Sequence, residues 1–474
     1  SVYVKAGTLN YVMLNNSVVS QWFDLSNGTI GTNSSSANTI DASIESVGNG
    51  WYRCSLIFNS SISIVRIYPS QADNDVNGTS GNIYIQDAQL EQGLVARGYI
   101  ETTTTAVEGG ITDNVPRLDY TDSSCPALLL EPQRTNIVTQ SEYFEDGYWN
   151  KQNAIAINTN SDLSPEGIQN ATELDGFDAS NFQSVAQYIT LSAGTYTFSV
   201  FLKKTTGALT HYPAVVMGSV YKYVIVNSTT GTYVEATGTN NNDSVIIESW
   251  DADWWRVSLT NTLSAGAQRF AIYPALSANG TGITTNASGT NVFWGAQVEE
   301  GSYATSYIPT YGSSVTRNRD NMDTTFSSPL ATNGNVSVLF DFGAASISDA
   351  NSTANNLEFV FDNGDKIIYN QNAVSQHRIE LNVNGGTEFI YKTFGILRSI
   401  PSKICVVVTN KTYRFFVNGE LISSAGSFTG TADWTAAERF ASDINEPIGV
   451  TPIKQLLLFP TALTDDECIA LTTL

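Results

Sequence analysis

Charge is scarce in this chain of 474 residues: Asp, Glu, Lys and Arg together make up 14%. What charge there is leans acidic, 45 Asp and Glu against 23 Lys and Arg, a formal net charge of −22. Phosphate backbones and anionic membranes attract proteins through Lys and Arg, so neither nucleic acid nor a membrane is an expected partner. Histidine is scarcer still. Only His211 and His377 are present, and neither has a Ser or Cys nucleophile signature nearby, which leaves a hydrolytic triad unsupported. The cysteines (Cys54, Cys125, Cys405 and Cys468) lie far apart with no C-x-x-C spacing. They read as four separate, mostly buried thiols, and the isolated histidines cannot complete a zinc site with them. No apolar run approaches the ~18 residues a membrane helix needs; Leu128-Leu129-Leu130 and Leu456-Leu457-Leu458-Phe459 are strand-sized.

What is abundant is Asn, Ser, Thr and Gly, with 11% aromatics. Few helix formers among many β-branched and aromatic residues point to an all-β chain, and the length to about three domains. The chain also contains one stretch twice. Trp254-Trp255-Arg256-Val257-Ser258-Leu259, Ile272-Tyr273-Pro274, Gly295-Ala296-Gln297-Val298-Glu299-Glu300-Gly301 and Tyr307-Ile308 form the second copy. Trp51-Tyr52-Arg53-Cys54-Ser55-Leu56, Ile67-Tyr68-Pro69, Asp87-Ala88-Gln89-Leu90-Glu91-Gln92-Gly93 and Tyr99-Ile100 form the first. From Trp to Gln the spacing is 38 residues in one copy and 43 in the other, so the order is that of an internal repeat. Ser1-Val2-Tyr3-Val4-Lys5 aligns with Ser199-Val200-Phe201-Leu202-Lys203. Nothing before Ser1 then matches residues 137–198, and the expectation is a chain that enters its first domain midway, as a fragment would.

The repeat and the turn signals divide the chain. Residues 1–107 read as the C-terminal part of a first jelly-roll module, with Asn27-Gly28, Asn49-Gly50 and Asn77-Gly78 turns between alternating runs. Residues 108–136 read as a connector whose three successive leucines must pack against a domain. Residues 137–318 read as a complete second module of evenly spaced short strands, a two-sheet sandwich. Residues 319–474 change character, with strands over Val336–Phe342 and Leu357–Phe361 and an Asn418-Gly419 hairpin. They end in a helix started by Thr464 as N-cap with Glu467 three residues on.

Two blocks resemble known families. Leu129-Leu130-Glu131-Pro132-Gln133-Arg134-Thr135-Asn136, then Ser141-Glu142-Tyr143-Phe144 and Trp149, resembles the opening of modules in fibre and spike proteins of tailed bacteriophages. Gly295–Gly301, then Ala304–Thr310 and Val315-Thr316-Arg317, resembles their close; those modules are similar to carbohydrate-binding jelly rolls. Phe416-Val417-Asn418-Gly419-Glu420-Leu421 and Leu458–Glu467 resemble the concanavalin/laminin-G-like lectin fold. The resemblance implies an all-β virion surface protein: tandem jelly-roll sandwiches, the first partial, then a concanavalin/laminin-G-like sandwich with a short C-terminal helix. It implies other virion proteins as partners, a homo-oligomer, taken as a trimer, and adhesion to host surface polysaccharide. A ligand-free structural role, a bacterial surface lectin and, last, a polysaccharide depolymerase are the other readings. The first copy departs from the module pattern, with Arg97-Gly98 where Thr305-Ser306 stand and Glu101 in place of Pro309.

Candidate site residues follow from chemistry. Gln297 and Glu299, like Gln89 and Glu91, sit two apart and face one side of a strand; they would form a polar shelf for a glycan, or else fasten a neighbouring loop together with Arg256 and Arg53. Of the aromatics Trp149, Trp250, Trp254, Trp255, Trp294 and Tyr273, the freer candidates for stacking on sugar are Trp250 and Trp255. Asp73, Asp75 and Asn77 match the first half of a calcium loop, although its twelfth position holds Tyr84. Structural calcium is thus the one cofactor weighed, against a plain turn. Glu173 and Asp175 faintly resemble the paired-carboxylate strand of some glycanases, but Gly176 interrupts it.

Overall fold

The computed structural model describes residues 1–77, 80–107, 117–120, 126–207, 211–219, 222–235, 242–277, 286–320, 323–325, 334–343, 355–361, 364–371, 376–383, 388–397, 400–430, 432–434, 437–444 and 453–474. It is nearly all β. The first module contains β1 (Val2–Ala6), β2 (Tyr11–Asn15), β3 (Ser20–Asp24), β4 (Thr29–Asn33), β5 (Thr39–Gly48), β6 (Trp51–Phe58), β7 (Arg66–Ser70) and β8 (Ile83–Gln86). Two four-stranded sheets, β5-β6-β1-β8 and β4-β3-β2-β7, close on Val2, Val4, Val12, Leu14 and Phe23. Alternation along each strand supplies that apolar face.

The connector contains β9 (Leu118–Asp119) and β10 (Ala127–Leu128), and β11 (Arg134–Asn136) opens the second module. There follow β12 (Asn150–Gln152), β13 (Ala156–Asp162), β14 (Ala171–Gly176), β15 (Ser184–Leu191), β16 (Gly194–Lys203), β17 (His211–Met217) and β18 (Lys222–Val226). Then come β19 (Tyr233–Glu235), β20 (Ser244–Ser249), β21 (Trp254–Leu263), β22 (Gly266–Ser277), β23 (Gly289–Glu300) and β24 (Val315–Arg317). Six-stranded sheets β13-β14-β23-β16-β21-β20 and β12-β15-β22-β17-β18-β19 face each other. Phe198 and Phe270 meet edge to face at 5.5 Å between them.

The strands that the two modules share pair in the same register. Val4 pairs with Tyr52 and Ile85 in the first, and Leu202 pairs with Trp255 and Phe293 in the second, which are the aligned residues of the repeat. The difference is four strands. Among the described residues of the first module nothing corresponds to β12 to β15, so β7 and β8 are sheet edges there, whereas β22 and β23 are interior. Tyr68 and Ile85 are consequently exposed while their counterparts Tyr273 and Phe293 are buried.

The last domain holds β25 (Asp323–Thr325), β26 (Val336–Phe342), β27 (Asn355–Phe361), β28 (Lys366–Gln371), β29 (Gln376–Val383) and β30 (Glu388–Leu397). It continues with β31 (Ser402–Val408), β32 (Thr412–Val417), β33 (Glu420–Ser427), β34 (Ala437–Ile444), β35 (Ile453–Phe459) and α1 (Asp465–Thr472). Sheet β25-β34-β27-β28-β29-β30 packs on β33-β32-β31-β26-β35-β10-β9. The hairpin turns through Asn418 and Gly419, both at positive φ, as a two-residue type I′ turn requires. At α1 the Thr464 hydroxyl accepts from the Glu467 amide and the Glu467 carboxylate accepts from the Thr464 amide, closing the capping box.

The connector is divided between its neighbours. Leu128 pairs with Ile453, so β10 and β9 extend a sheet of the last domain, with Leu128 and Leu130 on its core. Glu131, at the seam, is buried between the Arg117 and Arg317 guanidiniums and accepts the Ser306 amide at 2.8 Å. Asp320 takes the Glu131 amide at 2.7 Å and Arg117 at 2.7 Å. The two cations hold the Glu131 carboxyl down at about 2 against the opposing effect of burial.

The cysteines depart from the expectation of four separate thiols. Cys54 is buried alone, but the Cys405 and Cys468 sulfurs lie 3.6 Å apart, where α1 packs on β31. Cys125 lies outside the described residues.

Candidate functional site

Gln297 and Glu299 are closed in completely, and this corrects the idea of a glycan shelf. Gln297 Oε1 accepts the Ile308 amide at 2.7 Å, and Glu299 accepts the Thr305 amide at 2.8 Å and its hydroxyl at 2.7 Å. The first copy repeats the device: Gln89 Oε1 accepts the Ile100 amide at 2.7 Å, and Glu91 accepts the Arg97 amide at 3.0 Å. Arg256 donates to the Thr305 carbonyl and Arg53 to the Arg97 carbonyl. Each pair is therefore a clamp for the loop that follows. Burial pushes the Glu299 carboxyl up, while Thr305 and Arg256 pull against that rise.

Trp255 is also spoken for. Its indole N–H donates to the Ser228 carbonyl at 2.8 Å, the Lys204 ammonium sits 4.3 Å from the ring centroid, and the backbone of Gly231 lies so close that a Cβ there would meet the ring at 2.8 Å. Trp255 is thus half-buried and holds partners of its own. Trp250 differs: it is 48% exposed, resting edge to face on Phe201 at 5.2 Å. Trp149, Trp254, Trp294 and Tyr273 are core residues.

The residues weighed between calcium and a plain turn take partners within the protein, Asp73 on β4 and Asp75 in its own turn. Asp73 accepts the Thr32 amide and hydroxyl at 2.7 and 2.8 Å, and Asp75 accepts the Asn77 amide and side chain at 2.9 and 2.7 Å. Among the described residues no group of three or more His, Cys, Asp or Glu is placed to hold a metal. Glu173 and Asp175 take ordinary partners, Asn158 at 3.0 Å and Thr290 at 3.2 Å. His377 is a core residue, its Nδ1 2.9 Å from the Tyr369 hydroxyl. The side chain of His211 lies outside the described residues.

A concavity lies elsewhere, where the first two modules meet. This cleft of about 700 Å³ is walled by Asn59 and Gln92 on one side and by Tyr143, Asp146, Tyr148 and Tyr311 on the other. Tyr148 is 54% exposed, and its amide is turned by the Asp146 carboxylate at 2.9 Å. Aromatic faces beside amides and a carboxylate suit a ligand that is apolar on its ring faces and hydroxylated at its rim. The junction is fixed by Arg97, one of the residues where the first copy departs from the second. Its guanidinium donates to the Tyr311 hydroxyl and to Glu166, each at 3.0 Å, and lies 3.8 Å from the buried Glu142. Burial raises the Glu142 carboxyl despite Arg97. Neither the cleft nor this weld is legible in the sequence; Tyr143 and Arg97 are visible there, but as parts of other patterns.

No family model and no curated protein matches the chain. Among solved structures it is similar to the CBM40 domain of a Ruminococcus gnavus IT-sialidase bound to α2,3-sialyllactose: 15% identity, 32% of this chain and 97% of that one, TM-score 0.24. It is similar to domains LG4-5 of the mouse laminin α1 chain, at 12% identity over 61% of this chain and 91% of that one, TM-score 0.19. It is also similar to sheep galectin-11 in complex with glycerol, at 11% identity over 30% of this chain and 98% of that one, TM-score 0.20. The paired sheets of the chain itself make it a string of β-sandwiches.

Proposed function

We propose that this chain is a non-catalytic glycan-binding subunit of the surface of a tailed-bacteriophage virion, adhering to host polysaccharide. The observation that carries the binding is the cleft between the first two modules, with exposed Tyr148 beside Asp146 and the amides of Asn59 and Gln92. The virion assignment is supported by the opening and closing motifs around Glu131 and Gln297. Within a particle the chain would act as a homo-oligomer, a trimer, beside other virion proteins. Repetition then multiplies weak contacts, raising avidity by roughly 10²–10⁴ without any new contact.

A glycan array probed with the full chain tests this. Binding that Tyr148→Ala abolishes and Trp255→Phe leaves intact supports the cleft. No retention on any polysaccharide, with the chain folded, would replace adhesion by a purely structural role. Release of oligosaccharides from host capsule would overturn the non-catalytic assignment.

A further inference from the structure

The sheet of the last domain that ends in β30 carries a solvent face lined by aromatic rings. Its inner residues, Ile379 and Leu381 on β29 and Ile367 and Tyr369 on β28, belong to the core. Alternation puts Asn370 on β28, Arg378, Glu380 and Asn382 on β29, and Phe389 and Tyr391 on β30 on the opposite side. Tyr391 stands across from Glu380 and Phe389 across from Asn382, so the two rings share that face. Phe389 is 48% and Tyr391 52% exposed, and their planes are within 6° of parallel with centroids 6.4 Å apart. The two parallel rings form one exposed apolar strip, which costs free energy to leave wet.

The strip has a polar margin. The Arg378 guanidinium lies over the Tyr391 ring at 4.2 Å and 3.8 Å from the Glu380 carboxylate, which accepts the Asn370 amide at 3.1 Å. Three atoms in this margin have no hydrogen-bond partner among the described residues: Asn370 Oδ1, Arg378 Nε and Asn382 Oδ1. Asn370 is only 7% exposed, so its unpartnered oxygen is an expensive one. The Tyr391 ring packs over the Arg378 guanidinium at the edge of this margin.

We propose that this face is a second carbohydrate site, separate from the inter-module cleft, for a neutral oligosaccharide spanning at least two sugar rings. The proposal deepens the glycan-binding reading above and rests on it. The occupant follows from the groups on offer. Two adjacent parallel aromatics, exposed on one sheet face, suit sugar rings, each with an apolar face and a hydroxylated edge. Two vacant acceptors and one vacant donor are satisfied by hydroxyls, which both donate and accept. A carboxylated sugar fits worse, since its carboxylate cannot donate to either asparagine oxygen and meets Glu380 and a chain of net charge −22.

The test is a titration of the full chain with maltohexaose, with cellohexaose and with an oligogalacturonate of equal length, at millimolar concentration. The Phe389→Ala and Tyr391→Ala variants, at exposed positions, should keep the parent melting temperature and each weaken neutral-sugar binding by roughly tenfold or more. Tyr391→Phe should retain it. Tyr148→Ala, in the cleft, should leave this binding unchanged. Loss in Tyr148→Ala alone would overturn the second site while keeping the cleft. Binding of neither neutral sugar, or tighter binding of the oligogalacturonate, would also overturn it.

Discussion

Replacing Glu131 by glutamine probes the seam between the second module and the last domain. In the fold the Glu131 carboxyl titrates at about 2, against 4.5 for an unperturbed glutamate. At about 1.4 kcal/mol for each decade, ionised Glu131 contributes about 3 kcal/mol at neutral pH. The carboxyl is nine-tenths or more buried, so solvent screening removes little of this. Its folded pKa is depressed, so the contribution is complete above pH 4.5 and is lost as pH falls toward 2. Glu131→Gln should therefore destabilise the chain by about 3 kcal/mol at pH 7 and by only about 1 kcal/mol at pH 3. It leaves Arg117 and Arg317 facing a neutral amide, and the second module and the last domain should melt separately. Urea unfolding followed by tryptophan fluorescence at both pH values, with calorimetry, measures this. A difference below about 1 kcal/mol at pH 7, or one as large at pH 3 as at pH 7, would refute the reasoning.

The same chemistry yields other outcomes. Arg97→Ala removes the cation between Tyr311, Glu142 and Glu166 and should expose the first junction to limited proteolysis around residues 93–107, leaving the last domain's melting unchanged. Gln297→Ala strands the buried Ile308 amide and should cost about 1–3 kcal/mol in denaturant unfolding while glycan retention per folded molecule stays constant. Cys54, whose thiol burial pushes up to about 12, and the adjacent Cys405 and Cys468 should not react with a thiol reagent at pH 8 until the chain is denatured.

The fold is largely legible in the sequence because its signals are local. Alternation marks Val336–Phe342, the Asn418-Gly419 turn marks the hairpin, and Thr464 with Glu467 marks the helix start. The repeat conveys even register, since Trp51 and Trp254 pair with the aligned Lys5 and Lys203. What stays hidden depends on distant partners. That β10 joins the sheet of the last domain rests on Leu128 meeting Ile453, and no window of sequence contains both. Trp250 and Trp255 look alike in sequence. Only Lys204 and Gly231, brought in from the segment after β16 and the turn between β18 and β19, separate the more covered ring from the more open one. Phe389 and Tyr391 do carry a signal, two aromatics at a spacing of two on one strand face. The same spacing is ordinary in a core strand, so by itself it does not single them out.

The repeat also explains why the glutamine–glutamate clamp persists in two modules whose loops differ. Each clamp fixes the loop by which its module grips a neighbouring part of the chain. In the first copy Gln89 and Glu91 hold the backbone around Arg97, and Arg97 reaches Tyr311 and Glu166 of the second module. In the second copy Gln297 and Glu299 hold the backbone around Thr305 and Ser306, and Ser306 donates its amide to Glu131 in the connector. One device thus serves two junctions, with the contacting residue changed to suit each neighbour. An arginine meets the buried Glu142 at the first, and a bare backbone amide meets the already paired Glu131 at the second. The departure of Arg97-Gly98 from Thr305-Ser306 is on this account the adaptation that a junction to a different neighbour requires. It also gives the inter-module cleft its fixed walls, since a loosely hinged pair of modules would have to lose that freedom each time a ligand bound.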